Sequence, residues 1–309
     1  MGSADIIPGV SGGTIALILG IYERLVTAIS HCDAHLLGLL AARRWRAAAE
    51  YLDLRFLVAL GLGILTGIAC LAKLMHYLLL QQRTYTLAVF FGLILASSLI
   101  VARMVRPQNA RQGWICLLLA AAAALFAFWL VGLHQFGFHD HWGYFFLCGT
   151  LAICAMILPG ISGAYILWLL GAYEAVTGTI HQMIHFDAAA RELFLLAVFA
   201  AGCAVGLVSF SKLLRWLLAR AHMPTMAMLG GFMIGSLRGI WPFQNDLTPN
   251  VHKLKLKQYE HFIPAAWTTQ VTICVLLAIV AMAAILLLER WGAAPRAPSE
   301  DVALGSENA

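Results

Sequence analysis

Hydrophobic residues in this chain come as long runs rather than as stripes that share a helix with a polar face. Apolar stretches cover Phe56–Leu80, Tyr85–Val105, Trp114–Leu133, Leu193–Leu218, Thr225–Ile240 and Ala265–Leu288. Most approach or exceed the ~20 residues with which a helix crosses a bilayer, and each is read as a spanning helix. The stretch after Pro224 is the shortest of them. Polar sequence is confined to the joints. These are a loop with Arg43, Arg44 and Arg46, the segment HQFGFHDHW after Leu133, a stretch with Lys253, Lys255 and Lys257, and the end from Pro295 to Ala309. The last is Pro/Ser/Glu-containing and is expected to be disordered.

Two segments break the apolar pattern with the same residues: IIPGVSGGTIALILGIYERL near the start and MILPGISGAYILWLLGAYEAV beyond the middle. With Pro8 set against Pro159, nine of the sixteen positions from Pro8 to Glu23 are identical: Pro8, Gly9, Ser11, Gly12, Ile15, Leu19, Gly20, Tyr22 and Glu23. The likeness continues at an offset of 139 residues, where Gly63, Gly67, Lys73, Leu74, Leu78, Leu79, Gly92 and Ser97 match Gly202, Gly206, Lys212, Leu213, Leu217, Leu218, Gly231 and Ser236. Each half is a broken motif followed by about three spans. An odd number of spans turns the second copy upside down, which gives the inverted-topology repeat of secondary transporters. The expected fold is an all-α polytopic membrane protein, with a first repeat over 1–133, a second over 134–290 and the polar tail over 291–309.

The motif itself has a physical logic. Ser11 to Tyr22 makes ~18 Å of helix against ~30 Å of hydrocarbon, so it reaches the middle and stops. In the second copy, Trp142–Leu158 supplies an apolar arm, and arm, Pro-Gly turn and half-helix together predict a re-entrant hairpin. Backbone of this kind is tolerated at membrane depth only where protein or a cavity surrounds it. Pro8 and Pro159 stop the arm, and Ser11 and Ser162 stand at the N-cap position. The free N–H groups and positive dipole end of a helix start suit an anion. Two such ends near the midplane would make one anion site; the alternative is that the small residues only let helices touch.

Composition sharpens the class. The 309 residues are 61% hydrophobic and 11% charged, and mean hydropathy is +0.83. Soluble domains carry about 25% charged residues. The net charge of +5 matters less than its placement, and no nucleic-acid partner is expected. With the N-terminus in the cytoplasm, Arg43, Arg44, Arg46, Arg103, Arg106, Arg111, Arg215, Arg220, Arg290 and Arg296 fall on the inner side. The outer side receives Arg83, Arg191 and the three lysines near 255, which run against the bias. The seven cysteines are scattered without a CxxC, and His139, Asp140 and His141 are too close in sequence to converge on one ion, so that loop is read as solvated. No metal site, cofactor, HExxH motif or paired acidic ligands is found, and an enzyme is not expected.

ADIIPGVSGGTIALILGIYERL, ILPGISGAYILWLLGAYE and GFMIGSLRGIWPF resemble the signature segments of the polyprenyl-phosphate transporter family of bacterial inner membranes. The resemblance covers nearly the whole chain. It implies a translocase that returns undecaprenyl phosphate, the lipid carrier of envelope synthesis, from the outer to the inner leaflet. Members of that family carry an apolar lead-in before the first motif. Only seven residues precede Pro8 here, so the first hairpin is expected without its arm.

Candidate substrate-binding residues are therefore Pro8, Gly9, Ser11, Gly12, Gly13 and Thr14 of the first copy, Pro159, Gly160, Ser162 and Gly163 of the second, and Arg238. Arg238 ends an apolar span and has the planar fork that matches a phosphate; the alternative is that it snorkels to the interface. Lys73 and Lys212 are repeat-related cations with the same two readings. Asp5 is a candidate for coupling to a proton or sodium ion. Glu23 and Glu174, read as ending their half-helices, are candidates for gating. The runner-up function is a small-anion channel or exchanger that uses the same helix starts. Coupling ion, lipid chain length and oligomeric state are not written in these patterns.

Overall fold

The computed structural model describes residues 1–2, 11–185, 189–247 and 259–292. The first half contains α1 (Gly12–Ile18), α2 (Tyr22–Ser30), α3 (Ala34–Ala41), α4 (Trp45–Tyr51), α5 (Leu54–Gln81), α6 (Arg83–Met104) and α7 (Ala110–Val131). The second contains α8 (Trp142–Ile157), α9 (Gly163–Leu169), α10 (Tyr173–Ile184), α11 (Ala190–Arg220), α12 (His222–Ser236) and α13 (Thr269–Gly292). A 3-10 turn at Leu237–Ile240 extends α12. Between it and α13 stand two short antiparallel strands, β1 (Gln244–Asp246) and β2 (Tyr259–His261), with Gln244 opposite His261.

Among the described residues five helices are long and apolar enough to cross a membrane: α5, α6, α7, α11 and α13. The sixth expected span is different. α12 has 15 residues, ~23 Å of helix, and lies inside the protein with Met226, Leu229, Gly231, Met233 and Ser236 all buried. It seats on α7, where Gly231 and Gly235 bring its backbone against the Ala120 and Ala124 carbonyls. In the same way Gly92 brings α6 against Ala278 of α13. Gly92 and Gly231 are repeat-related, so the middle helix of each half packs on the last span of the other half. Close backbone approach through small residues is the usual means of helix association in lipid. The halves are not equivalent everywhere. Gly202 and Gly206 seat α11 on Phe146 and Thr150 of α8, whereas the counterpart Gly63 meets nothing.

The apolar core lies where α1, α2, α6, α11 and α12 meet, and includes Leu17, Tyr22, Val26, Leu87, Ile94, Leu214, Leu229 and Met233. Polar contacts gather at two ends. One end holds the Arg24–Asp53, Arg103–Glu289 and His222–Glu23 pairs. The other holds Arg191–Asp140 and the Arg83–Gln244 bond. α5 separates them, because its 28 residues run ~42 Å from beside the Arg43–Arg46 loop to the neighbourhood of Arg83.

α8 and α9 form a helical hairpin. α9 starts against Ala152 and Met156 near the end of α8. It finishes where the Leu169 carbonyl accepts from Phe136 N–H and the Leu170 carbonyl accepts from the Tyr144 hydroxyl, back beside the start of α8. The expected single half-helix from Ser11 to Tyr22 is not continuous. It divides into α1 and α2 at Gly20, and its counterpart divides into α9 and α10 at Gly171, with φ of +67° and +72°. Left-handed backbone ends a helix, and glycine adopts it without steric cost. The break corrects the reading of Glu23 and Glu174: instead of ending half-helices they lie in the first turns of α2 and α10, where the helix dipole favours an acid. Asp5, Pro8, Gly9 and the tail beyond 292 lie outside the described residues.

Candidate functional site

The two motif copies touch. The Ser11 hydroxyl caps α1 by accepting from Gly13 N–H at 3.1 Å, and it faces the Met156 and Leu158 carbonyls at 3.3 and 3.4 Å. The Tyr22 hydroxyl donates to the Ile157 carbonyl at 3.1 Å. These are the carbonyls a helix end leaves without partners, so hydroxyls of the first copy cap the arm of the second. In return Gly160 N–H donates to Thr14 Oγ1 at 2.9 Å. Ser11 and Thr14 are buried, at 2% and 0% exposure, and Gly13 lies against the Ile157 carbonyl. Ser11, Gly13 and Thr14 thus meet the second hairpin, and neither they nor Gly12 line the cavity beyond it.

The open space begins on the other side of that hairpin. A cavity of about 980 Å³ is lined by Gly160, Ile161, Ser162, Ala164 and Tyr165 of the second motif, by Ser236 and Arg238 after α12, and by Arg83 and His261. Phe91, Phe128, Trp168, Trp241 and Ile234 supply apolar wall, and Glu260 is a carboxylate among the lining residues. Ser162 is the N-cap of α9 without a side-chain capping bond. Gly160 has φ of +91°, and a Cβ there would lie 2.8 Å from Ser236 Oγ, so only glycine lets the turn approach α12. Since Arg83 and His134 line this cavity, it lies at the end of the molecule opposite the Arg43–Arg46 loop.

Arg238 sits on the cavity wall with a defined attachment. Its Nη1 donates to the Phe128 carbonyl at 3.0 Å, and its guanidinium lies 4.4 Å from the Phe128 ring centroid. The Tyr165 hydroxyl lies 3.1 Å from both the Leu130 and the Val131 carbonyl and shares its one proton between them. Cation and hydroxyl together satisfy the C-terminal turn of α7, where a positive charge is favoured. Among the described residues Arg238 is in none of the ion pairs.

Arg83, the first residue of α6, was placed by sequence only as an outer-side charge. Its Nη2 donates to Gln244 Oε1 at 3.1 Å, and its guanidinium stacks 3.6 Å from the Tyr259 ring centroid. Its Nε and Nη1 are buried with no hydrogen-bond partner. The Gln244 Nε2 donates to the Gly239 carbonyl at 3.2 Å and stands 3.3 Å from His261 Nε2. With the amide nitrogen as donor, that ring nitrogen is the acceptor of the contact. Partial burial, followed by the Arg238 and Arg83 charges, holds His261 below the ordinary histidine value. No repeat signal marks Arg83, because its counterpart at the 139-residue offset is His222. Only its place at the mouth of a span could have drawn notice.

The other candidates lie elsewhere. Lys73 and Lys212 are exposed and do not line the cavity; Lys212 faces towards Asp33 at the opposite end. Glu23 pairs with His222 at 2.9 Å at that same opposite end. Glu174 is exposed at the start of α10. His139 and His141 are exposed, and Asp140 pairs with Arg191 at 2.6 Å, as a solvated loop would have it.

Residues 1–258 match the family described as undecaprenyl phosphate translocase-like. A polyprenyl-phosphate transporter of Vibrio cholerae is 35% identical over 300 residues, covering 94% of this chain and 94% of that protein. A polyprenyl-phosphate transporter of Staphylococcus aureus is 30% identical over 257 residues, covering 78% of this chain and 83% of that protein. No solved structure matches. With a family match across most of its length, and a relative that aligns nearly from end to end, this chain belongs to the undecaprenyl phosphate translocase-like family.

Proposed function

We propose that this protein is a non-enzymatic translocase of the bacterial cytoplasmic membrane that moves undecaprenyl phosphate between leaflets. The observation that carries this reading is the cavity, where an arginine and the second Pro-Gly turn meet apolar and aromatic walls. A lipid phosphate needs both surfaces: a cation with hydrogen-bond donors for the headgroup, and hydrocarbon for the first isoprene units. The headgroup binds at Arg238, with Ser162 and the backbone of the Gly160–Gly163 turn beside it, while the first copy supports that turn through Ser11 and Thr14. Pro159 ends the arm so that the turn can form. The names of the Vibrio and Staphylococcus relatives support the same substrate.

The positive-inside bias puts the Arg43–Arg46 loop and the N-terminus in the cytoplasm. The cavity then faces the outer leaflet, where spent carrier accumulates. The His222–Glu23 pair closes the opposite end, and Glu23 acts there as a gate. Asp5 remains a coupling candidate, for a proton or sodium ion. Lys73 and Lys212 are interfacial anchors.

Reconstitution tests this. Labelled polyprenyl phosphate in proteoliposomes, with protein orientation read by thiol labelling of a His139→Cys variant whose exposed Cys32 and Cys70 are replaced by serine, should cross from the leaflet on the His139 side. Chloride flux should stay at the level of protein-free vesicles. Chloride flux without lipid movement would contradict the proposal and favour a small-anion pathway.

A further inference from the structure

Arg83 is held in an unusual state for a cation. Its Nε and Nη1 have neither solvent nor partner, and the groups on the rest of its guanidinium, Gln244 and the Tyr259 ring, are neutral. Asp246 attracts it only at longer range. Arg83 as a residue is only partly buried, but guanidinium nitrogens withdrawn from water without a partner are costly, and an arriving anion would offset that cost. The repeat supplies a comparison. Arg83 begins α6 as His222 begins α12, 139 residues later. At the far end His222 has a carboxylate partner in Glu23. In the cavity the same slot has a stronger cation, and none of the described ion pairs includes it.

We infer that Arg83 is the second cation of the headgroup site and, with Arg238, selects a doubly charged phosphomonoester; this rests on the function proposed above. Both guanidiniums line one cavity, and both act electrostatically on the His261 ring at its wall. Arg238 uses one N–H on Phe128 and keeps the rest of its fork. Gln244 and Tyr259, which hold Arg83, both belong to the paired strands β1 and β2, so a ligand that displaces these two contacts would free the guanidinium. Charge-assisted bonds to phosphate are stronger than the amide bond and ring contact they replace. A phosphomonoester carries a charge of about −1.5 to −2 near neutral pH. Two cations match that charge, whereas a phosphodiester, with one charge, needs only one.

The test is binding of geranylgeranyl phosphate and of its methyl ester to the full chain in detergent. The two ligands share a tail and differ by one charge. Wild type should prefer the monoester by tenfold or more. Arg83→Gln should weaken the monoester about ten- to a hundredfold, change the methyl ester less than threefold, and so erase the preference. Arg83→Lys, which keeps charge without the fork, should retain part of the preference and serves if the glutamine variant does not fold. An equal loss for both ligands, or no loss, would overturn the inference. If Arg238→Gln abolishes binding while Arg83→Gln keeps the preference, the proposed function stands and only Arg83 is misassigned. If wild type binds neither ligand, both fall.

Discussion

Arg238 carries two duties that a point substitution can separate. Its Nη1 closes the last turn of α7 through Phe128, which is structural, and its place in the cavity wall is the basis of the headgroup role proposed for it. Lysine retains the charge at the α7 terminus but loses the planar fork. Alanine loses both and leaves the Phe128 carbonyl without its donor. Affinity for a polyprenyl phosphate should therefore fall from arginine to lysine to alanine. Removal of a charge-assisted bond is worth roughly 1.5–3 kcal/mol, about ten- to a hundredfold in Kd. Tyr165 still holds Leu130 and Val131 in each variant, so α7 should keep its end. Equal affinity in all three proteins would reduce Arg238 to an α7 cap.

The short helices explain why the motif is written twice. The copies do unlike jobs: one makes the turn at the cavity, and the other satisfies the polar atoms behind it. Thr14 is the sharpest point of that division, because its hydroxyl is the partner of Gly160 N–H in a buried turn. Thr14→Val should destabilise the protein by about 1–3 kcal/mol, the cost of an unsatisfied buried donor, and Thr14→Ser should recover most of it. Thermal unfolding in detergent reads both, and a valine variant that melts with wild type would mean that Gly160 N–H finds another acceptor. The Pro-Gly-Ser pattern made the turn and its caps legible in sequence. The division of labour was not legible, since the nine identical positions gave no hint that Thr14 holds the turn of the other copy while Tyr165, a different residue at the matching place, reaches α7. The break at Gly20 and Gly171 was hidden for a different reason: a single glycine inside an apolar helical pattern is tolerated as often as it terminates. Its consequence, the favourable placement of Glu23 and Glu174, was therefore misread.

At the scale of the whole molecule, run length made the five long spans plain, whereas the shorter run Thr225–Ile240 forms a 15-residue helix packed inside the protein, because apolar composition marks burial in protein as well as in lipid. α12 is apolar because α6 and α7 surround it. Arg238 was legible as an arginine at the end of such a run; Arg83 was not, because only the fold brings α6, the β1–β2 hairpin and the end of α12 around one space. That space is the central claim: a lipid phosphate enters the cavity between the second hairpin and α12. Photo-crosslinking tests it most directly. A polyprenyl phosphate with a diazirine in its first isoprene unit, irradiated on the reconstituted protein and mapped by mass spectrometry, should label Tyr165, Trp168, Ile234 and Trp241, and excess unlabelled polyprenyl phosphate should suppress the labelling. Adducts confined to the lipid-facing surfaces of α5 and α13, insensitive to competitor, would contradict the account.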